Sequence, residues 1–153
     1  MADTDLNAGN LVVTITEALA VGHDVAADER DFAQTCTHTF SGILNTSKRI
    51  IKLVDTALIK VATFSTDTDD GAFVRSDVRY IRVTNLDGTA TLQVGLDDGA
   101  SDAAYTELAP ATSIMYTAVK CEGGNDGTTL DNAVALKVKG VADHQLEVFI
   151  ASV

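Results

Sequence analysis

The sequence predicts an all-β chain of about ten short antiparallel strands closed as a sandwich or barrel. Three observations carry this expectation. Apolar and polar residues alternate in short runs along most of the chain, the period of a half-buried strand. Turn signals rich in Gly and Asp recur between the runs. Helical periodicity is weak throughout, and no repeat at a solenoid or propeller period is present.

Taken in order, Met1 to Asn10 is polar and rich in small residues, so it reads as an N-terminal arm. A single domain is expected from 11 to 153. Leu11 to Glu17 alternates Leu11, Val13 and Ile15 against Thr14 and Thr16, which predicts a strand. Ala18 to Ala33 reads as a loop, with a short helix around Val25 to Phe32 as the alternative. In Gln34 to Leu44, Cys36, His38 and Phe40 fall on one face and Thr35, Thr37 and Thr39 on the other. Arg49 to Val54 and Leu58 to Phe64 predict two strands, and the short Asp55-Thr56 link between them predicts a hairpin. Ser65 to Asp77 reads as an acidic loop.

Asp77 to Leu96, DVRYIRVTNLDGTATLQVGL, holds the strongest local signal: two strand-like runs flanking Asp87-Gly88. With those two residues as the turn, Leu86 faces Thr89, Val83 faces Leu92, Ile81 faces Val94 and Arg79 faces Leu96. On the other face Thr84 meets Thr91, Arg82 meets Gln93, and Tyr80 lies over Gly95. A one-residue slip would oppose apolar to polar positions. A second acidic loop runs from Leu96 to Ala104. Tyr105 to Leu108 is a brief apolar stretch before Pro110, the only proline, which bars a central strand there. Ser113 to Val119, Val134 to Lys139 and Gln145 to Ala151 complete the set, with the turn-rich Glu122 to Asn132 between the first two. The last strand is apolar nearly throughout, as expected of one buried on both faces.

A chain of 153 residues with 46% hydrophobic residues can bury a self-sufficient core. No apolar run approaches the roughly 18 residues of a membrane span, and the N-terminus has no basic or apolar leader region. The net charge of -11 and pI near 4.4 repel phosphate backbones and anionic lipid, so neither nucleic acid nor membrane is an expected partner. Basic residues gather only at Lys48, Arg49 and Lys52 and at Arg75, Arg79 and Arg82, where they read as solvated strand edges or a site for an acidic partner. Cys36 and Cys121 are expected to be reduced, buried thiols.

The three histidines, His23, His38 and His144, have no histidine neighbour at metal-ligand spacing. His38 is the most suggestive, because it shares a strand with Cys36. No Gly-x-Ser-x-Gly elbow, phosphate loop or dinucleotide fingerprint occurs; Ser41 lies in Phe-Ser-Gly. Asp67-Thr68-Asp69-Asp70-Gly71 resembles the start of a calcium loop, but its glycine comes one position early and no Glu closes it. Asp97, Asp98 and Asp102 and the Asp126, Asp131 pair read as solvated acidic turns. Tyr80, Tyr105 and Tyr116 are the only tyrosines available to stack on a sugar, and tryptophan is absent. The expectation is therefore no catalytic residue, no metal site and no cofactor.

Tyr80 to Asn85, Leu108 to Ser113 and Leu146 to Ile150 together resemble small β-sandwich virion proteins of tailed bacteriophages. In that group a Tyr-Ile-Arg-Ile-Thr-Asn strand enters a hairpin, a Leu-x-Pro/Ala-Gly-like-Ser step leads to the next strand, and a short hydrophobic strand ends the chain. Here the step carries Ala111-Thr112 in place of a clear glycine. The resemblance implies an antiparallel, jelly-roll-like β-sandwich and a non-enzymatic structural role as a capsid decoration or cement protein. Alternatives are a neck, tail or fibre component or, from another class, a glycan-binding module. It further implies a homo-oligomer, a trimer, attached to the major capsid protein or another virion protein. The protein would be assembled in the bacterial cytoplasm and located in the virion.

Overall fold

The computed structural model describes residues 8–19, 32–67, 71–99, 105–117 and 133–153. The chain is all-β: the described residues form eleven strands in three sheets, with every ladder antiparallel except the two-residue β4–β5 contact. It divides into two compact units, Met1–Ile43 and Leu44–Val153.

The first unit contains β1 (Gly9–Leu19) and β2 (Phe32–Ile43), an antiparallel two-stranded ribbon. Gly9 and Asn10, expected in the arm, already belong to β1. The ladder sets Leu11 opposite Phe40, Val13 opposite His38 and Ile15 opposite Cys36. Thr14 and Thr37, then Thr16 and Thr35, pair on the other face. The period of two seen in the sequence thus becomes one apolar and one threonine face.

The second unit holds β3 (Asn45–Lys52), β4 (Ile59–Ser65), β5 (Phe73–Val74), β6 (Val78–Asn85), β7 (Leu92–Asp97), β8 (Tyr105–Leu108), β9 (Ser113–Thr117), β10 (Ala135–Lys139) and β11 (Gln145–Ser152). One sheet runs β5-β4-β10-β7-β8, the other β3-β11-β6-β9. Setting the short β5 aside, the strands pair from the outside inward. The first pairs with the last, β3 with β11, and then β4 with β10, β6 with β9 and β7 with β8.

A single buried cluster draws on both sheets. Val61, Phe64, Leu92, Val94, Leu136 and Val138 come from the five-stranded sheet, and Ile81, Val83, Leu146, Val148 and Ile150 from the four-stranded one. Each fully buried side chain of this size contributes about 1.5–3 kcal/mol, so these residues dominate the stability of the unit. The cluster contains no residue before Leu53.

This pairing corrects both expected hairpins. Val83 lies between Val148 and Ile114, and Leu92 lies beside Leu108, not opposite each other. Tyr80 pairs with Ala151 and Thr117, not with Gly95. Residues 86–91 arch from one sheet to the other. Neither Asp87 nor Gly88 has the positive φ that a two-residue hairpin of the Asp-Gly type requires. The Asp55-Thr56 link likewise passes between sheets, because β3 and β4 belong to different ones. Alternation reports that one face of a strand is buried. It is the same whether the partner lies in the same sheet or across the core, and Ile81, Val83, Leu92 and Val94 are indeed all buried.

The final strand is central in its sheet, but only one of its faces is fully buried where burial on both was expected. Leu146, Val148 and Ile150 enter the core, while Glu147 and Phe149 lie half-buried on the opposite face.

Candidate functional site

Two fully buried polar side chains, Asn85 at the end of β6 and His144 just before β11, meet at one end of the second unit. His144 Nε2 stands 2.7 Å from Asn85 Oδ1. The Asn85 amide nitrogen donates to the carbonyls of Ala90 at 2.9 Å, Leu108 at 3.1 Å and Ala109 at 3.2 Å. Three acceptors on one side fix the orientation of the amide, so Oδ1 must face donors. It accepts from the Asp87 amide at 3.0 Å and from His144. His144 therefore carries its proton on Nε2, and its buried Nδ1 has no partner.

Backbone hydrogen bonds lock the surrounding turns to the same point. The Asn85 amide donates to Thr112, Leu86 to Gln145, and Ala111 to Asp87. Leu53 donates to the His144 carbonyl and accepts from Asp143. Gly140 closes the packing: a Cβ there would sit 2.7 Å from His144 Nδ1 and 2.8 Å from a Leu53 methyl, so no other residue fits without displacement. The Asp87 carboxylate accepts from the amides of Thr89 and Ala90 and from the Thr89 hydroxyl. These donors hold its pKa below the ordinary carboxylate value, chiefly through the two amides. The arrangement ties the 86–91 arch, the β8–β9 turn and the β10–β11 turn into one rigid end. Its two central side chains are closed to solvent.

The basic residues singled out in the sequence are engaged within the chain. Glu147 is bridged by Lys48 at 3.0 Å and Arg82 at 2.6 Å, which hold its carboxyl below the usual range. Arg82 also lies over the Phe149 ring, and Phe149 meets Tyr80 edge-on. Lys52 pairs with Asp143, and Arg49 donates to the Val61 carbonyl. Arg79 donates to the Ser76 carbonyl. On the five-stranded sheet, Lys137 and the buried Asp97 form a 2.6 Å pair, which lowers the Asp97 pKa and raises that of Lys137.

Among the described residues no three His, Cys, Asp or Glu side chains gather as a metal set. His23, Cys121, Asp102, Asp126, Asp131 and most of the Asp67–Gly71 segment lie outside the described residues. Of the tyrosines, Tyr80 is buried, Tyr116 packs against the core and only Tyr105 is exposed. Cys36 is half-buried on β2, with its Sγ 3.2 Å from His38 Nε2. The sequence reading did not single out Asn85, and His144 was noted only as a histidine without a histidine neighbour. Strand parity was the available signal, since Asn85 shares the inward face of Ile81 and Val83, and His144 that of Leu146 and Val148. No family model matches the chain, and neither a curated protein nor a solved structure is similar to it.

Proposed function

We propose that Leu44–Val153 is a jelly roll and that the chain is a non-enzymatic structural component of a bacteriophage particle, a capsid decoration protein. The observation that carries this is the outside-inward pairing of eight strands, which is the connectivity of two interlocked Greek keys. Jelly rolls serve as virion shells, lectins and cupins. The lectin reading is disfavoured by the packing of Tyr80 and Tyr116, which leaves one exposed tyrosine where a sugar platform needs a broad aromatic face. The cupin reading would need a cluster of metal-ligating side chains inside the sheets, and the buried candidates among the described residues are His144, held by Asn85, and Asp97, paired with Lys137.

Two further features support a scaffold role. The turns at one end are rigidly interlocked, as a part that bears load in an assembly requires. Ala111 sits at φ 55, the left-handed region that favours glycine, at the step where the resembled phage proteins carry a glycine-like residue. In this reading the ribbon of β1 and β2 takes over the attachment role that the sequence assigned to a ten-residue arm, and the chain acts as a homo-oligomer, a trimer.

The test is copy number and attachment. In purified particles the protein should be present in hundreds of copies if it decorates the shell, and about a dozen would place it at a neck or tail. Residues 44–153 alone should fold, because the core cluster is complete there, yet fail to co-sediment with particles lacking the protein. Full-length protein with no affinity for any such particle would overturn the proposal.

A further inference from the structure

Cys36 and His38 are two residues apart on β2 and therefore share a face. Across the ladder that face carries Ile15 and Val13. The two side chains converge, with Sγ 3.2 Å from Nε2, and His38 is exposed to solvent. A thiolate sulfur and an imidazole nitrogen are the preferred donors for zinc, at about 2.3 Å and 2.0–2.1 Å. Those lengths separate the two donor atoms by about 3.5 Å in a tetrahedral site and by about 4.4 Å in a linear one. The observed 3.2 Å, a thiol–imidazole hydrogen bond, lies much nearer the tetrahedral bite than the linear arrangement of two-coordinate copper.

A closed structural zinc site needs four ligands, and no third ligand stands beside this pair among the described residues. Among the described residues the ribbon that carries it has two strands, and a two-stranded ribbon is marginal in water without further support. A second ribbon laid against the Leu11, Val13 and Ile15 face would cover those half-buried side chains. With a twofold axis through the metal, it would also present the same Cys and His again. We propose that Cys36 and His38 form half of a tetrahedral Cys₂His₂ zinc site, completed by the same two residues of a second copy of the chain.

The charges balance. Each Cys36 thiol gives its proton to solvent on binding and each His38 ligates as the neutral imidazole, so two protons leave per metal and the two thiolates neutralise the cation. The site revises the expectation of no metal, which rested on the absence of paired histidines. It stands independently of the virion reading, because its readout is metal stoichiometry and not attachment to a particle.

The experiment titrates chelator-treated full-length protein with Co²⁺ and with Zn²⁺. The result expected is one metal per two chains, with thiolate-to-cobalt charge-transfer absorption and a doubling of the sedimenting mass that a chelator reverses. Cys36→Ala and His38→Ala should each weaken binding at least about tenfold. Cys121→Ala and His23→Ala should leave it unchanged. Far-UV circular dichroism confirms that each variant remains folded. Absence of binding, one metal per chain, or binding that survives Cys36→Ala or requires Cys121 would overturn the proposal.

Discussion

Replacing Asn85 by Asp keeps the shape of the side chain and removes both amide protons from a group that faces three carbonyl oxygens. A carboxylate cannot remain charged there, because it would be buried against the negative ends of three dipoles. It must take up a proton, and at pH 7 that costs about 3 pKa units above an unfolded value near 3.9, or about 4 kcal/mol. The protonated acid recovers one donor, and loss of the second costs about 1 kcal/mol more. The total of about 5 kcal/mol compares with a typical whole-domain stability of about 5–15 kcal/mol. The folded pKa of the new carboxyl lies above its unfolded value. The protonation part of the penalty is therefore absent below about pH 4 and grows by about 1.4 kcal/mol per pH unit above it, while the cost of the lost donor stays constant. Urea unfolding at pH 5 and pH 7 reads this directly. With a slope of about 2 kcal/mol/M, Asn85→Asp should unfold about 1.2 M below the parent at pH 5 and about 2.5 M below it at pH 7. Asn85→Ala has nothing to titrate and should lose the same amount at both. An Asn85→Asp deficit that did not grow with pH, or none at all, would refute the assigned orientation of the amide.

The remaining predictions use the same rigid end and the ion pairs. Gly140→Ala drives a methyl against His144 and Leu53 and should cost about 2 kcal/mol, lowering Tm by about 4–8 °C in a scanning calorimeter; an unchanged Tm would contradict the close packing. Ala111→Gly relieves a left-handed backbone and should raise Tm by about 1–4 °C, whereas a fall would show that Ala111 is unstrained. The carboxyls of Asp97 and Glu147 are held low by Lys137, and by Lys48 and Arg82. Their stabilisation is complete above the ordinary carboxylate value near pH 4 and fades as pH falls through their lowered values. Asp97→Asn should therefore give a shallower loss of stability on acidification below pH 4, and a profile parallel to the parent would remove the pair from the account. Lys137, raised by Asp97, loses its contribution as pH rises through its folded value, above 10.5.

The sequence located strands better than it located their neighbours. Tyr105–Leu108, read from the sequence as a brief apolar stretch, forms β8, an edge strand, and β10 and β11 differ from expectation by one residue at one end. These bounds are local, set by alternation and by the Pro110, Gly140 and Asp143 breaks around them. Pairing is not local. Val83 and Leu92 satisfied the arithmetic of a hairpin because both point into the same core from opposite sheets. The Asp-Gly signal marked a real reversal of the chain. The Asp87 carboxylate instead bonds the amides ahead of it, the Asn85 side chain accepts from the Asp87 amide, and β11 and β9 fill the two edges of β6 where a hairpin partner would have paired. In this chain the stronger the hairpin pattern, the more it concealed an arch.

The polar end of the domain was half legible for a related reason. Parity alone puts Asn85 and His144 on inward faces, and an inward Asn or His demands partners. The partners come from positions 87, 90, 108, 109 and 144, around three separate connections, and only the outside-inward pairing of strands brings those connections together. Once they meet, the chemistry leaves little choice. The carbonyls of Ala90, Leu108 and Ala109 select an amide and reject a carboxylate, the amide oxygen selects the Nε2 proton of His144, and that ring leaves room for nothing larger than Gly140. The Asp-Gly tip that looked like the centre of the fold is thus one wall of a cluster whose centre is Asn85. Substitutions should cost most at Asn85, His144 and Gly140, and least at Gly88, whose Cβ position faces open space.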